Sequence, residues 1–247
     1  MLVRPLWLLA LLAASVGLSV GCESLSEYND VYSVGADHRV LCGYSLDDKN
    51  SVSIDALNSA FERARARRET VHLYAHKPSG TVQSSTIESA VAGASDRGLG
   101  FVTYRELAMG VVPSKGSLAL SFDDHAVSEW RAMLPMFAQY HARVTFFVSS
   151  FQFGTPEDRA MLHELAAAGH DIEYHSTNHF NAEQYSTANG VERYIADDID
   201  PGLAAMRADG FDPVVFAYPF GARTEATDAA LLTKFTLLRA IHYSCPR

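Results

Sequence analysis

Along the 247-residue chain, short apolar runs alternate with amphipathic stretches. The runs at 39–43, 70–74, 100–103, 117–122, 144–148, 171–174, 214–218 and 236–241 have the length of buried strands. Between them, residues 53–68, 86–97, 126–141, 156–168, 191–208 and 227–234 place apolar side chains at helical spacing, as in Leu162, Leu165 and Ala166. Gly98, Gly169 and Gly210 each stand just before a strand run, where a helix commonly ends in a left-handed residue. Alternating strand and helix predicts right-handed βαβ units and a parallel sheet. That number of strands in this length suits a closed or nearly closed (β/α) barrel, with an open doubly wound sheet as the alternative. In both arrangements the chemistry belongs at the C-terminal ends of the strands.

The start of the chain follows a different pattern. Arg4 precedes an uncharged apolar run at 6–20, and Ser19-Val20-Gly21-Cys22 then offers small residues before a cysteine. Residues 1–22 resemble a bacterial lipoprotein signal, with Cys22 lipidated as the mature N-terminus and the protein held at the cell-envelope membrane. Ordinary signal cleavage releasing a secreted protein is the alternative, and the run is too short to read as a permanent span. Residues 23–37 read as a polar linker and 38–247 as one barrel domain. Composition changes the picture in only one respect. A formal net charge of -9 argues against nucleic acid as a partner, because phosphate binding needs clustered Lys and Arg. Cys42 and Cys245 stand either as a disulfide of an oxidising compartment or as two buried thiols, and sequence leaves both open.

Three polar clusters fall at the C-terminal ends of predicted strands: Ser121-Phe122-Asp123-Asp124-His125, His175-Ser176-Thr177-Asn178-His179, and Tyr218-Pro219-Phe220-Gly221. Taken singly, an Asp-Asp pair is usually a turn or cap, and a Tyr-Pro-Phe-Gly stretch is usually a turn. Together on one rim they suggest chemistry. Two imidazoles and one carboxylate can hold a zinc-like ion and leave positions for water and substrate. A second carboxylate beside the first can accept a proton, and consecutive side chains at a strand end point in different directions, so adjacent aspartates can divide these roles.

These segments resemble the first three motifs of the polysaccharide deacetylases, also called the NodB-homology group or carbohydrate esterase family 4. The resemblance runs from about Lys115 to the C-terminus. It implies Asp123 as the catalytic base and Asp124, His175 and His179 as ligands of one divalent metal ion, zinc first, with cobalt or nickel as alternatives. It implies Tyr218, Pro219 and Phe220 as the wall of the substrate groove, with the Phe220 backbone N–H toward the oxyanion. The family usually has glycine where this chain has His125. It usually has an arginine bracing the base where this chain has Ala217, and Arg223 and Arg239 are the candidates to compensate.

The family continues into a fourth strand and a fifth, histidine-bearing strand whose histidine is the general acid, and neither follows the third motif here. Residues 71–76 nevertheless read as a strand ending in His76, residues 100–107 resemble the family's final strand and helix start, and residues 39–48 offer a fourth element. The expectation is a distorted (β/α) barrel of seven to eight parallel strands, circularly permuted, with His76 as general acid. An unrelated N-terminal domain and a structural His76 is the alternative. The implied activity is metal-dependent removal of N-acetyl groups from a polysaccharide of the cell envelope or extracellular matrix, with that glycan as partner. The rival readings are a non-catalytic glycan-binding envelope lipoprotein and a hydrolase of a small amide or cyclic amide.

Overall fold

The computed structural model describes residues 24–246. The leader and the expected lipidation site Cys22 lie outside the described residues. The strands are β1 (Tyr32–Ser33), β2 (Val40–Ser45), β3 (Thr70–Ala75), β4 (Gly100–Phe101), β5 (Ser117–Asp124), β6 (Thr145–Val148), β7 (Asp171–Tyr174), β8 (Val215–Ala217) and β9 (Leu237–Ile241). Seven of them pair in parallel and close on themselves in the order β3-β2-β9-β8-β7-β6-β5, with β5 returning to β3. The fold is therefore a closed (β/α) barrel, as the alternation of strand and helix predicts. The N-terminal strands β2 and β3 fill the ring between the last strand, β9, and the motif strand, β5.

The helices are α1 (Ile54–Arg67), α2 (Ser84–Asp96), α3 (Tyr104–Ala108), α4 (Val127–Ala132), α5 (Leu134–Gln139), α6 (Pro156–Ala167), α7 (Ala182–Asn189), α8 (Val191–Tyr194), α9 (Asp200–Ala208) and α10 (Glu225–Leu231). Their starts are written in the sequence. Ser53 caps α1 by accepting from the Ala56 N–H, and Thr155 forms a capping box with Asp158 ahead of Pro156. Removing such a cap costs about 1 kcal/mol. The buried face of α1, Leu57, Ala60, Phe61 and Ala64, has helical spacing against the sheet. Phe61 is fully buried, so truncating it to alanine costs about 3–5 kcal/mol.

Four segments differ from the pattern reading. The single helix expected over 126–141 breaks into α4 and α5, because Pro135 has no N–H to donate and its ring crowds the carbonyl four residues back. Pro201 acts similarly in the stretch 191–208, where a π-helical turn at Ile195–Ile199 separates α8 from α9. The strand expected over 100–103 pairs only at Gly100–Phe101. The expected linker is packed structure from Ser24 onward. Leu25 and Val31 are buried, and β1 pairs antiparallel with β3.

Side chains alternate across the barrel wall, and this parity positions the site. Leu118, Leu120, Phe122, Phe216 and Tyr218 belong to the outer core against the helices. Ala119, Phe147, Val215, Ala217 and Leu237 form a second cluster with Tyr104 and Leu107 of α3. Extending the inner parity along β5, β3 and β9 brings Asp123, Tyr74, His76 and Arg239 to one end of the ring.

Candidate active site

Asp124 ends β5 with φ +82°, His175 follows β7, and His179 lies four residues on with φ +59°. Non-glycine residues rarely adopt positive φ, at a cost of order 1–3 kcal/mol each, and such outliers cluster at functional sites. Nε2 of His179 lies 3.1 Å from Asp124 Oδ1, and Nε2 of His175 lies 3.6 Å from the same oxygen. One ligand atom from each of the three residues lies within 4.8 Å of the others. His175 Nδ1 donates to the Ala217 carbonyl at 2.8 Å, and because a carbonyl only accepts, this bond leaves Nε2 bare for a ligand role. The donor set, two imidazoles and a carboxylate with one ring already oriented, fits a divalent ion of the zinc type.

The loop carrying His179 is clamped from beneath. Asp198, buried on the π-helical turn, accepts from the Asn178 N–H at 2.5 Å and from the Phe180 N–H at 3.2 Å, one on each side of His179. Its own carbonyl accepts from the Thr177 N–H at 2.7 Å. Gly202 lets α9 approach this loop, since a Cβ there would meet the Tyr174 hydroxyl at 2.5 Å.

Asp123 is buried on the inward side of β5, and the fully buried Arg239 of β9 donates from Nη2 to its Oδ2. The Arg239 guanidinium lies 4.9 Å from the Tyr74 ring centre and 5.2 Å from that of Phe147. Burial alone would favour its neutral form, but Asp123 keeps it charged. Arg239 stands directly across the β8–β9 ladder from Ala217. The arginine expected at position 217 is thus supplied by the adjacent strand, and Arg223 instead pairs with Asp228. Asp123 Oδ1 makes no hydrogen bond among the described residues, although it is buried. A buried oxygen of this kind is explained by a role in binding or proton transfer.

His76 follows β3 and faces the same cavity. Its Nδ1 bonds to Asp47 Oδ2 at 2.6 Å, and its backbone N–H donates to Asp47 Oδ1 at 3.2 Å. Its carbonyl accepts from Trp130 Nε1 at 3.0 Å. Asp47, almost fully buried, also accepts from Ser45 and Thr81. Burial pulls the His76 imidazole down, but Asp47 and then Asp123 more than reverse this and hold its pKa above the ordinary value. Burial likewise works against the Asp47 carboxylate, yet His76 and the two hydroxyls lower its pKa.

The cavity, of about 250 Å³, brings together Asp123, Asp124, His175, His179 and His76, with Phe220, Arg239, Lys49, Tyr74 and Tyr243 around them. Phe220 is exposed, has φ +59°, and sets its ring 4.7 Å from that of His179. The turn closes against β9 because a Cβ at Gly221 would overlap Ile241 at 2.2 Å. Pro219 is buried. Tyr218 borders the cavity but does not supply it with a hydroxyl. Its position has the outward parity, so the ring packs in the outer core and the hydroxyl donates to Asp228 at 2.8 Å. The sequence left Arg239 as one of two candidates to brace Asp123 and gave Asp47 no role of its own. Asp47 lay just beyond the apolar run 39–43, and Arg239 lay inside one.

Cys42 and Cys245 form a disulfide with a Cα–Cα distance of 5.8 Å, linking β2 to the segment after β9.

Residues 110–237 match the family model for polysaccharide deacetylase. A chitin deacetylase from Arthroderma benhamiae is 30% identical over 118 residues, which is 47% of this chain and 31% of that protein. The chain thus spans about a third of the length of this curated relative. Among solved structures, IcaB from Ammonifex degensii aligns with TM-score 0.57 at 23% identity, covering 67% of this chain and 80% of that one. The Streptococcus pyogenes deacetylase PplD, solved with acetate, aligns with TM-score 0.56 at 18% identity over 67% of this chain and 80% of that one. A de-N-acetylase from Aggregatibacter actinomycetemcomitans gives TM-score 0.57 at 17% identity, covering 68% and 86%. These three likenesses concern the fold, whereas the family model spans more than half of the chain and all three polar clusters. The chain belongs to the polysaccharide deacetylase family.

Proposed function

We propose that this protein is a divalent-metal-dependent hydrolase that removes N-acetyl groups from an N-acetylated polysaccharide outside the cytoplasm. One observation carries the reading: a carboxylate braced by a buried arginine and a histidine braced by a buried carboxylate face the Asp124–His175–His179 donor set across one cavity. Asp124, His175 and His179 would hold the ion, and a divalent ion there supplies Lewis acidity to an acyl carbonyl and to water. Zinc suits these donors, with cobalt and nickel as alternatives.

The chain's own residues do the rest. Asp123, braced by Arg239, takes the proton of the attacking water at Oδ1. The Phe220 backbone N–H, placed in this role by the family resemblance, donates to the oxyanion. His76, oriented through Nδ1 by Asp47, delivers a proton from Nε2 to the departing nitrogen. The amide C–N bond breaks, leaving acetate and a free amine on the sugar.

We further propose that β2 and β3 are the family's last strands displaced to the front of the chain, a circular permutation. In its favour, they occupy the gap between β9 and β5, and β3 brings His76 to the site. Export with a lipid anchor at Cys22 is supported by the leader pattern, and the Cys42–Cys245 disulfide suits an oxidising compartment. Ala217 and His125 are the two departures that favour a glycan-binding protein without activity, and the first loses its force because Arg239 braces Asp123.

The test is acetate release from N-acetylglucosamine oligomers by protein stripped of metal and then titrated with zinc or cobalt. Release should depend on the ion and fall by about 10²–10⁴-fold in Asp123→Asn. Folded, metal-loaded protein that releases no acetate from any of several N-acetylated glycans would overturn the reading.

A further inference from the structure

In the barrel ring β3 lies between β2 and β5, and His76, which follows β3, is gripped from both sides. Asp47, beyond β2, holds its ring Nδ1 at 2.6 Å and its backbone N–H at 3.2 Å. From the β5 side, Trp130 of α4 donates from Nε1 to the His76 carbonyl at 3.0 Å. Helix α4 starts at Val127, shortly after the proposed ligand Asp124. The same helix brings Glu129 within 2.8 Å of the Lys77 ammonium, but that pair is half exposed and contributes little.

The indole is itself fixed. Trp130 is fully buried, and its ring stacks on Phe146 of β6 with centres 5.1 Å apart. Phe146 in turn stacks at 5.5 Å on Phe122, its partner across the β5–β6 ladder and the residue before Asp123. Phe122 is also the ladder partner of Ala75, the residue before His76. A short path of packed rings therefore runs from the backbone beside the proposed base to the backbone of the proposed acid. Close-packed interiors transmit small displacements along such paths.

Asp47 and Trp130 do different things. The Asp47 carboxylate orients the imidazole and favours its protonated form. The indole carries no charge, so it leaves protonation alone and fixes where the peptide after His76 stands relative to β5. Position matters in proton transfer, since a misplacement of about 1 Å can cost about 10²-fold.

We infer that Trp130 is a positioning residue for the general acid: its N–H holds the His76 main chain where Nε2 reaches the departing nitrogen. The inference rests on the deacetylase reading and adds the residue that couples its base to its acid.

The experiment replaces Trp130 with benzothienylalanine, which keeps the fused rings and puts sulfur in place of the N–H. Trp130→Phe also removes the donor but leaves a gap in the core, so the isosteric replacement is the deciding one. Zinc-loaded protein is assayed on the N-acetylglucosamine tetramer, whose amine needs a proton to leave, and on 4-nitrophenyl acetate, whose phenolate leaves without one. The replacement should lower kcat on the tetramer by about tenfold or more, with KM kept. The loss on the ester should be at least about tenfold smaller, and zinc affinity in a chelator competition should match the wild type. The alkaline limb of kcat/KM should stay in place, because Asp47 is intact. If kcat on the tetramer is unchanged, or amide and ester fall together, the indole is only part of the core. The inference then fails and the deacetylase reading stands. Wild-type protein that binds zinc but releases acetate from neither the tetramer nor other N-acetylated glycans overturns the deacetylase reading, and the role of Trp130 with it.

Discussion

His72 and His76 sit four residues apart on and just after β3, with the same inward parity. Toward the base of the barrel, His72 is enclosed by neutral groups. Its Nε2 lies 2.8 Å from the Ser33 hydroxyl and its Nδ1 lies 3.1 Å from the Tyr104 hydroxyl, and burial pushes its pKa down to about 3. At the rim, the partner of His76 is the Asp47 carboxylate, and its pKa rises. The rest of the two ends follows the same division. At the base, Arg105 bonds Asp171 at 2.9 Å and lies 2.7 Å from Glu173, and Arg143 pairs with Glu106. The cavity there, about 340 Å³, is larger than the one at the rim, yet its charged groups are paired with one another. At the rim, Asp123 keeps a buried oxygen without a protein partner, and Asp124, His179 and Phe220 hold positive φ. Size therefore does not mark the site. What the rim has is both features together, a buried carboxylate oxygen left for a ligand and three strained residues around one donor set.

Four measurements test this contrast, taken from the largest expected effect to the smallest. His179→Ala removes one of the three proposed metal ligands and should weaken zinc binding by at least about a hundredfold in a chelator competition, because even partners of ligands matter by 10–100-fold. An unchanged affinity would dissociate the rim geometry from metal binding. Asp198→Ala leaves every proposed ligand in place but frees the two amides that flank His179. Zinc affinity should fall by about 10–100-fold while the far-ultraviolet circular dichroism of the folded protein is kept.

Asp47→Asn addresses the charged partner of His76. With His76 acting as the proton donor, activity falls as pH rises through its raised pKa. Removing the carboxylate leaves burial to lower that pKa, so the alkaline limb of kcat/KM should move to lower pH. The pair also tunes stability. His76, with its pKa raised, favours the fold fully below its ordinary 6.5 and loses that as pH rises through the folded value. Asp47, with its pKa lowered, contributes fully above its ordinary 3.8 and loses that as pH falls through the folded value. Both contributions are therefore complete between those two ordinary values. The base supplies the opposite control. Arg105→Ala should lower stability in urea unfolding by about 1–3 kcal/mol, discounted because the side chain is partly exposed, without changing zinc affinity. A changed zinc affinity would show that the two ends are coupled.

Much of the fold was legible because strands buried on both faces read as continuous apolar runs, and each of the eight expected runs contains a strand. The prolines that break two long helices were also visible, but whether a helix bends or stops at proline depends on what it packs against. The donor set and His76 were legible from their position at strand ends. Arg239 was legible only as one of two candidates to brace Asp123. It sits in Leu237-Leu238-Arg239-Ala240-Ile241, and the carboxylate that justifies burying it lies 116 residues earlier. Asp47 became meaningful only once β2 paired with β3 and placed it under His76. Tyr218 borders the cavity, as an aromatic beside the motif suggests, but its hydroxyl is turned to Asp228 and its ring packs in the outer core, which only the pairing of the strands reveals.

The disulfide also has a mechanical consequence. Cys42 and Cys245 are 203 positions apart, and everything between them forms one covalent loop that includes every residue of the site. Tension applied along the backbone from Ser24 to Pro246 would pass from Cys42 directly across the sulfur bridge. Pulling on the tails would therefore strip β1 and residues 40–41 from the wall first, while the loop that carries Asp123 lies beyond the bridge and off the load path.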